Sequence, residues 1–316
     1  MSRKRYENYD HVQNGTSFSD MLRWNKERRS KKKDLTVQIP HAEQIEVQQL
    51  HENNTNSSIT WIGHSTFLIQ INGKNILTDP VWAKRMGVQK RLTEPGIPIN
   101  QLPEIDMVVI SHGHYDHLDF GTIKKLPGSP TFYVPIGLKS AFTRRGYKKV
   151  IEANWWDTFT YQELNISFVP AQHWTKRSIN DTNTSHWGGW VMEDSKSSPS
   201  IYFVGDTGYF RGFRDISERF NLDIILMPIG AYEPEWFMKI SHINPEDSIK
   251  AFLELKGKIF IPMHYGAYRL ADDTGPEALE RLTNEWNCLG LGQEMLKVLA
   301  IGETYWAEKN GDEEHD

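Results

Sequence analysis

Short apolar runs separated by turn-forming residues organise the chain from Ile59 onward. Residues 59–62 and 66–71 read as strands, Asn72-Gly73-Lys74 as a hairpin turn, and residues 75–78 as the returning strand. Residues 107–110 form a short, wholly apolar run, and 132–134, 166–169, 187–192, 201–204, 224–228 and 259–261 continue the strand series. Helical spacing predicts helices over 136–145, 210–220, 245–255 and 276–286, the last opened by Gly275-Pro276. Strands outnumber helices and the helices fall between them, which predicts sheets with helices outside. Residues 1–56 are polar and lack a sustained apolar period, so they predict an N-terminal extension that packs on or flanks a core of 57–307. Residues 308–316 predict a frayed acidic tail.

Composition narrows the classes. At roughly 150 residues per domain, 316 residues allow two domains or one two-lobed unit. With 11 Trp, 12 Tyr and 14 Phe, the chain has the means to bury a core. Its apolar runs are far shorter than the ~20 residues a membrane-spanning helix needs. The opening residues are charged with no apolar stretch behind them, which predicts no secretory signal. The lone Cys288 excludes a disulfide framework and a thiolate zinc site. Both features point to the cytoplasm. A net charge of −5 argues against nucleic acid as a partner.

The 12 His matter by position. Ser111-His112-Gly113-His114-Tyr115-Asp116-His117 follows directly on the 107–110 run. Three imidazoles and a carboxylate at a strand end are costly to bury unless a divalent cation holds them. His112 and His114 can aim at one ion, and Asp116 and His117 at a second. One loop cannot complete two sites, since each ion takes about four ligands. Three further candidates stand where an apolar strand meets a Gly- or Pro-containing turn: His173, Asp206 and His264.

The order His-x-His-x-Asp-His, then His, Asp and His, resembles the metallo-β-lactamase superfamily over about residues 59–305. The resemblance implies an α/β fold, the αββα sandwich, with metals at one edge between two sheets. It implies one ion on His112, His114, His173 and Asp206, and a second on Asp116, His117, Asp206 and His264. The implied cofactors are two divalent metal ions, zinc first, with manganese or iron as alternatives. β-Lactamases proper carry Cys or another residue where this chain has Asp206, which points to the phosphodiesterase and lactonase branches.

Further segments carry a closer resemblance: Trp61-Ile62-Gly63-His64-Ser65-Thr66, Thr78-Asp79-Pro80, Trp155-Trp156 and Gln172-His173-Trp174-Thr175-Lys176-Arg177. So do Gly205-Asp206-Thr207-Gly208-Tyr209 and Met227-Pro228-Ile229-Gly230-Ala231-Tyr232-Glu233-Pro234, with Trp236-Phe237-Met238-Lys239 following and Met21-Leu22-Arg23-Trp24 upstream. Together they resemble the N-acylphosphatidylethanolamine-hydrolysing phospholipase D family. That family implies a zinc phosphodiesterase releasing N-acylethanolamine and phosphatidic acid by means of a metal-bridging hydroxide. The alternative is a lactonase or phosphodiesterase acting on a soluble small molecule. The resemblance also allows a homodimer.

Catalytic roles fall to Asp116, which can orient the hydroxide, and to His242. The latter matches a His of the phospholipase family and can serve the leaving group, bind a phosphate oxygen, or simply cap the helix from Pro245. Asp79 and His64 are expected to support the ligands without binding metal, Asp79 by accepting a ligand His N–H. His64 reads more readily as a buried, satisfied imidazole. His186 is expected near the site, without a role. Trp174, beside His173, is the best wall for an acyl-chain pocket. The basic run from Arg23 to Lys33 is either a solvated helix face or a peripheral contact with an anionic membrane, where each cation contributes about 1 kcal/mol.

Overall fold

The computed structural model describes residues 4–13, 17–194 and 199–307; the acidic tail expected at 308–316 lies outside them. The first strands are β1 (Ser58–Gly63), β2 (Thr66–Ile71) and β3 (Lys74–Thr78), antiparallel in succession, with the Asn72-Gly73 turn joining β2 to β3. A small hairpin of β4 (Arg85–Met86) and β5 (Gln89–Lys90) follows, then β6 (Ile105–Val109), β7 (Gly128–Pro135) and β8 (Val150–Ala153), all parallel to one another. β9 (Thr158–Tyr161), β10 (Leu164–Val169) and β11 (Gly189–Asp194) open a second sheet, continued by β12 (Ile201–Phe203), β13 (Ile224–Pro228) and β14 (Ile259–Met263). β15 (Thr304–Trp306) returns to β1. The sheet orders are 15-1-2-3-6-7-8 and 14-13-12-11-10-9.

Side chains alternate across a strand, so each strand buried on both faces feeds two cores. In β2, Phe67, Ile69 and Ile71 enter the large cluster shared with Phe168, Trp190, Phe203 and Leu226 of the second sheet. Leu68 points the other way and joins Leu77, Val108, Phe132 and Phe142. That outer layer holds α3 (Phe120–Ile123) and α4 (Lys139–Thr143), as Ile123 and Phe142 show. On the far face, α7 (Pro245–Leu255) and α8 (Gly275–Cys288) pack through Ile249, Phe252, Leu282 and Trp286. The result is the αββα sandwich.

The helices predicted at 136–145 and 210–220 are shorter than expected: α4 spans five residues and α5 is Gly212–Ser217. The strand expected from residue 187 starts two residues later, because Trp187 is buried in the loop before it. The N-terminal extension holds α1 (Phe18–Ser30) and α2 (Val47–Glu52), which its apolar pattern did not reveal. Its signal was the capping box, in which Ser17 and Asp20 satisfy each other's backbone N–H groups. The remaining short helix, α6, is Glu235–Met238. Among the described residues no helix is long and apolar enough to cross a membrane.

Candidate metal centre

Four strand ends of the two sheets converge at one edge. β6 delivers the loop 112–117, β10 leads to His173, β12 to Asp206 and β14 to His264. Local backbone makes the approach feasible. A Cβ on Gly113 would meet Thr175 Oγ1 at 2.7 Å, so only glycine lets the loop lie against the 173–177 segment. Gly205 takes φ +70°, a conformation that favours glycine, and so turns Asp206 inward.

Two donor clusters result. In the first, His112 Nε2 is 2.8 Å from His114 Nδ1, which is 3.2 Å from His173 Nε2. Donor atoms of these three residues all lie within 4.8 Å of one another. In the second, Asp116 Oδ2 is 3.2 Å from His117 Nε2 and 3.6 Å from His264 Nε2. Asp206 stands between them, with Oδ2 at 4.0 Å from His112 and 3.8 Å from His173, and at 3.2 Å from His117. Its Oδ1 is 3.0 Å from His264 Nε2. All seven residues assigned from the sequence are therefore brought together.

Supporting groups fix the rings. Asp79 Oδ2 is 2.6 Å from His117 Nδ1, and its other oxygen accepts the Ser111 backbone N–H at 2.7 Å. His173 Nδ1 donates to the Ser241 carbonyl at 2.8 Å, and His112 Nδ1 meets Ser111 Oγ at 2.9 Å. His64 is buried as expected, but it also stands within the second cluster: its donor atom lies within 4.8 Å of those of Asp116, His117 and His264, with Nε2 3.1 Å from Asp116 Oδ2. His242 Nδ1 is 3.9 Å from Asp206 Oδ2. Arg177, whose role the sequence does not reveal, sends one Nη1 to the carbonyls of Gly113, His114 and Leu118 at 2.7, 3.2 and 2.9 Å. It clamps the 112–117 loop from behind. His186 stacks on Tyr6 and tilts against Trp155, with ring centroids 4.6 and 4.2 Å away.

Burial and charge together suit a cation. Burial opposes charge on Asp116 and Asp206, but the field of His117 outweighs it and holds both well below the usual carboxylate range. His117 feels burial too, yet Asp206, Asp116 and Asp79 raise it well above an ordinary imidazole. Burial pushes His64 down to about 3 and both His114 and His242 down to about 4. Among the described residues, His117 Nε2, His264 Nε2 and Asp206 Oδ1 are buried and crowd other ligand atoms of the clusters at 3.0–3.2 Å without forming an aligned hydrogen bond. Such atoms are costly unless something satisfies them. Hard-to-intermediate nitrogen and oxygen donors, aimed at common points, fit divalent metal.

Comparison with known proteins agrees. The model of the β-lactamase superfamily domain matches residues 74–265, more than half of the chain. A metal-dependent hydrolase of Methanopyrus kandleri is 30% identical over 252 residues, which cover 78% of this chain and 98% of that protein. This chain belongs to the metallo-β-lactamase superfamily. The Methanopyrus relative is described as a metal-dependent hydrolase, and the His/Asp clusters of this chain are able to bind metal. An N-acyl-phosphatidylethanolamine-hydrolyzing phospholipase D of Caenorhabditis elegans is 36% identical over 228 residues, 66% of this chain and 64% of that protein. The chain spans between half and two thirds of the length of the curated relatives at that identity. Isothiocyanate hydrolase from Delia radicum gut bacteria has the same fold, with a TM-score of 0.66 at 20% identity over 80% of this chain and 100% of the other.

Proposed function

We propose that this superfamily hydrolase is a two-metal phosphodiesterase of the phospholipase D type, converting N-acylphosphatidylethanolamine to N-acylethanolamine and phosphatidic acid. The observation that carries the reading is a cleft of about 670 Å³ beside the metal centre, with an apolar stretch of Trp174, Phe237, Met238, Met21 and Trp24, His242 on its wall, and Arg5, Glu7 and Lys176 among its polar lining. It has room for an acyl chain, and His242 stands both on its wall and against Asp206. The 36% identity to the nematode phospholipase supports the same substrate class.

In this reading His112, His114, His173 and Asp206 hold one divalent ion, and Asp116, His117, Asp206 and His264 hold the second. Zinc is the first choice. Bound ions supply neutralisation of the phosphoryl oxygens and a water acidified toward hydroxide near neutral pH. Asp116, held ionised, accepts a hydrogen bond from that water, orients it toward phosphorus and takes up the proton that the leaving N-acylethanolamine oxygen needs. His242, kept neutral by burial, donates an N–H to a phosphoryl oxygen and does not serve as an acid. Trp174, edge-on to His114 at 4.7 Å between ring centroids, keeps the headgroup side of the cavity dry. Met21, Leu22 and Val12 are exposed and Met21 and Val12 line the cavity, so this face suits contact with an anionic membrane from which a lipid enters. Of the basic run, Arg28 and Lys31 face Asp272, while Lys33 faces Glu233 and Glu277. Arg23 pairs with Glu27 at 2.8 Å and lies over Trp236. Those four cations serve packing, which leaves Lys26, Arg29 and Lys32 as candidates for lipid headgroups.

The test is incubation of zinc-loaded protein with N-acylphosphatidylethanolamine vesicles, with products read by mass spectrometry and Asp206→Asn as the blank. Both products are expected, and neither from the blank. Protein that holds metal and cleaves a generic phosphodiester but releases neither product would overturn the lipid reading and leave a soluble substrate.

A further inference from the structure

Residues 4–13 lie outside the matched superfamily domain and run as a strap over the approach to the metal centre. The strap is pinned along its length. Tyr6 N–H donates to Asn183 O at 2.8 Å, and Tyr9 Oη donates to Asp215 at 2.7 Å. Arg211 forks onto Asp10 at 2.7 and 2.8 Å. Between these anchors Asn8 turns inward and is only 7% exposed.

The Asn8 Oδ1 accepts two hydrogen bonds, from the backbone N–H of His173 at 2.9 Å and from the indole Nε1 of Trp187 at 2.9 Å. Its Nδ2 donates outward to the Val12 carbonyl at 3.1 Å. Both inward partners are donors and the outward one is an acceptor, so the amide has one orientation. The indole also reaches Ala171 O at 3.1 Å and keeps a partner if Asn8 is lost. The buried His173 N–H is the bond that depends on Asn8. With its backbone held by Asn8 and its Nδ1 on the Ser241 carbonyl, His173 presents Nε2 to His114 and Asp206.

We propose that Asn8 is a positioning residue of the metal centre. By binding the His173 backbone it sets where that imidazole sits in the first cluster, and so the N-terminal strap is a working part of the site. The inference rests on reading the two clusters as a two-ion centre.

The test uses the full chain as wild type, Asn8→Ala, Asn8→Asp and Tyr9→Phe. Zinc content and affinity are read by competition with a chromophoric chelator, and the visible spectrum of the cobalt-substituted proteins reports ligand geometry. Wild type and Tyr9→Phe are expected to hold two ions tightly. Asn8→Ala keeps one and binds the other about 10- to 100-fold more weakly, the range seen when a ligand's supporting bond is lost. Asn8→Asp, whose carboxylate accepts the same two inward bonds but loses the outward one to Val12 O, recovers most of the lost affinity. Tyr9→Phe loosens the strap without touching His173, so a comparable loss of metal there would mean general loosening and overturn the role of Asn8. Wild-type affinity at both sites in Asn8→Ala would overturn it as well. Wild type that binds no zinc would remove the two-ion reading, and this inference with it.

Discussion

At the scale of the residue, the metal centre depends as much on what stands behind the ligands as on the ligands. Asp79 is buried and spends its oxygens on His117 Nδ1 and on Ser111. Asp79→Asn puts an amide N–H or a weaker acceptor against His117 and lets the ring turn. The expected outcome is about 10- to 100-fold weaker binding of one ion, measured by chelator competition, in a protein of unchanged fold. Arg177 offers a second case. Its guanidinium reaches three carbonyls of the ligand loop and stacks over Tyr115 at 4.2 Å. A lysine lacks the planar cation that lies over the Tyr115 ring and holds the donor in place. Arg177→Lys is therefore expected to bind metal more weakly than wild type, read in the same titration. The dense 112–117 run made four ligands legible in the sequence, and the strand-end rule made His173, Asp206 and His264 legible. Arg177, Ser241 and Asn8 were not legible as contributors, because each acts through a carbonyl or a backbone N–H, and such roles leave no mark in residue type.

At the scale of the element, strands with two buried faces announced themselves, while short helices and edges did not. β13 and α7 match their expected bounds because each is a complete signal, an apolar run of five in one and Asn-Pro ahead of an amphipathic stretch in the other. α4 and α5 are each shorter than two turns, too short for periodicity to bound them. β15 is a three-residue edge whose place depends wholly on pairing with β1. The cap of α7 links stability to the site, because Asn244 lies two residues after His242. Its side chain accepts the Asp247 N–H at 2.7 Å. Asn244→Ala should cost about 1 kcal/mol. A lower denaturation midpoint together with a raised KM, kcat being less affected, would show that the same turn holds His242.

At the scale of the whole molecule, acid is the expected weakness. His186 packs against Tyr6 and Trp155, and burial pushes it down to about 3. An unfolded histidine titrates near 6.5, so between that pH and about 3 the unfolded chain takes up a proton that the folded one refuses. The stability held above pH 6.5 is thus lost progressively as pH falls toward 3, by up to about 2 kcal/mol at pH 5 from this residue. His264, raised to about 9, works in the opposite sense in metal-free protein: its contribution is complete below pH 6.5 and is lost as pH rises through 9. Comparing urea midpoints at pH 7 and pH 5 for wild type and His186→Phe isolates the first effect. The variant should lose less on acidification, and an equal loss in both proteins would rule His186 out as a cause.

The ligands come from both sheets: the 112–117 loop from the first, and His173, Asp206 and His264 from the second. A bound ion is therefore a cross-link between the two halves of the sandwich as well as a reagent. Because it binds the folded chain and has no comparable site in the unfolded one, it raises the melting temperature by mass action. Chelator should lower that temperature and open the 112–117 and 170–176 segments to hydrogen exchange together, since one rivet secures them both.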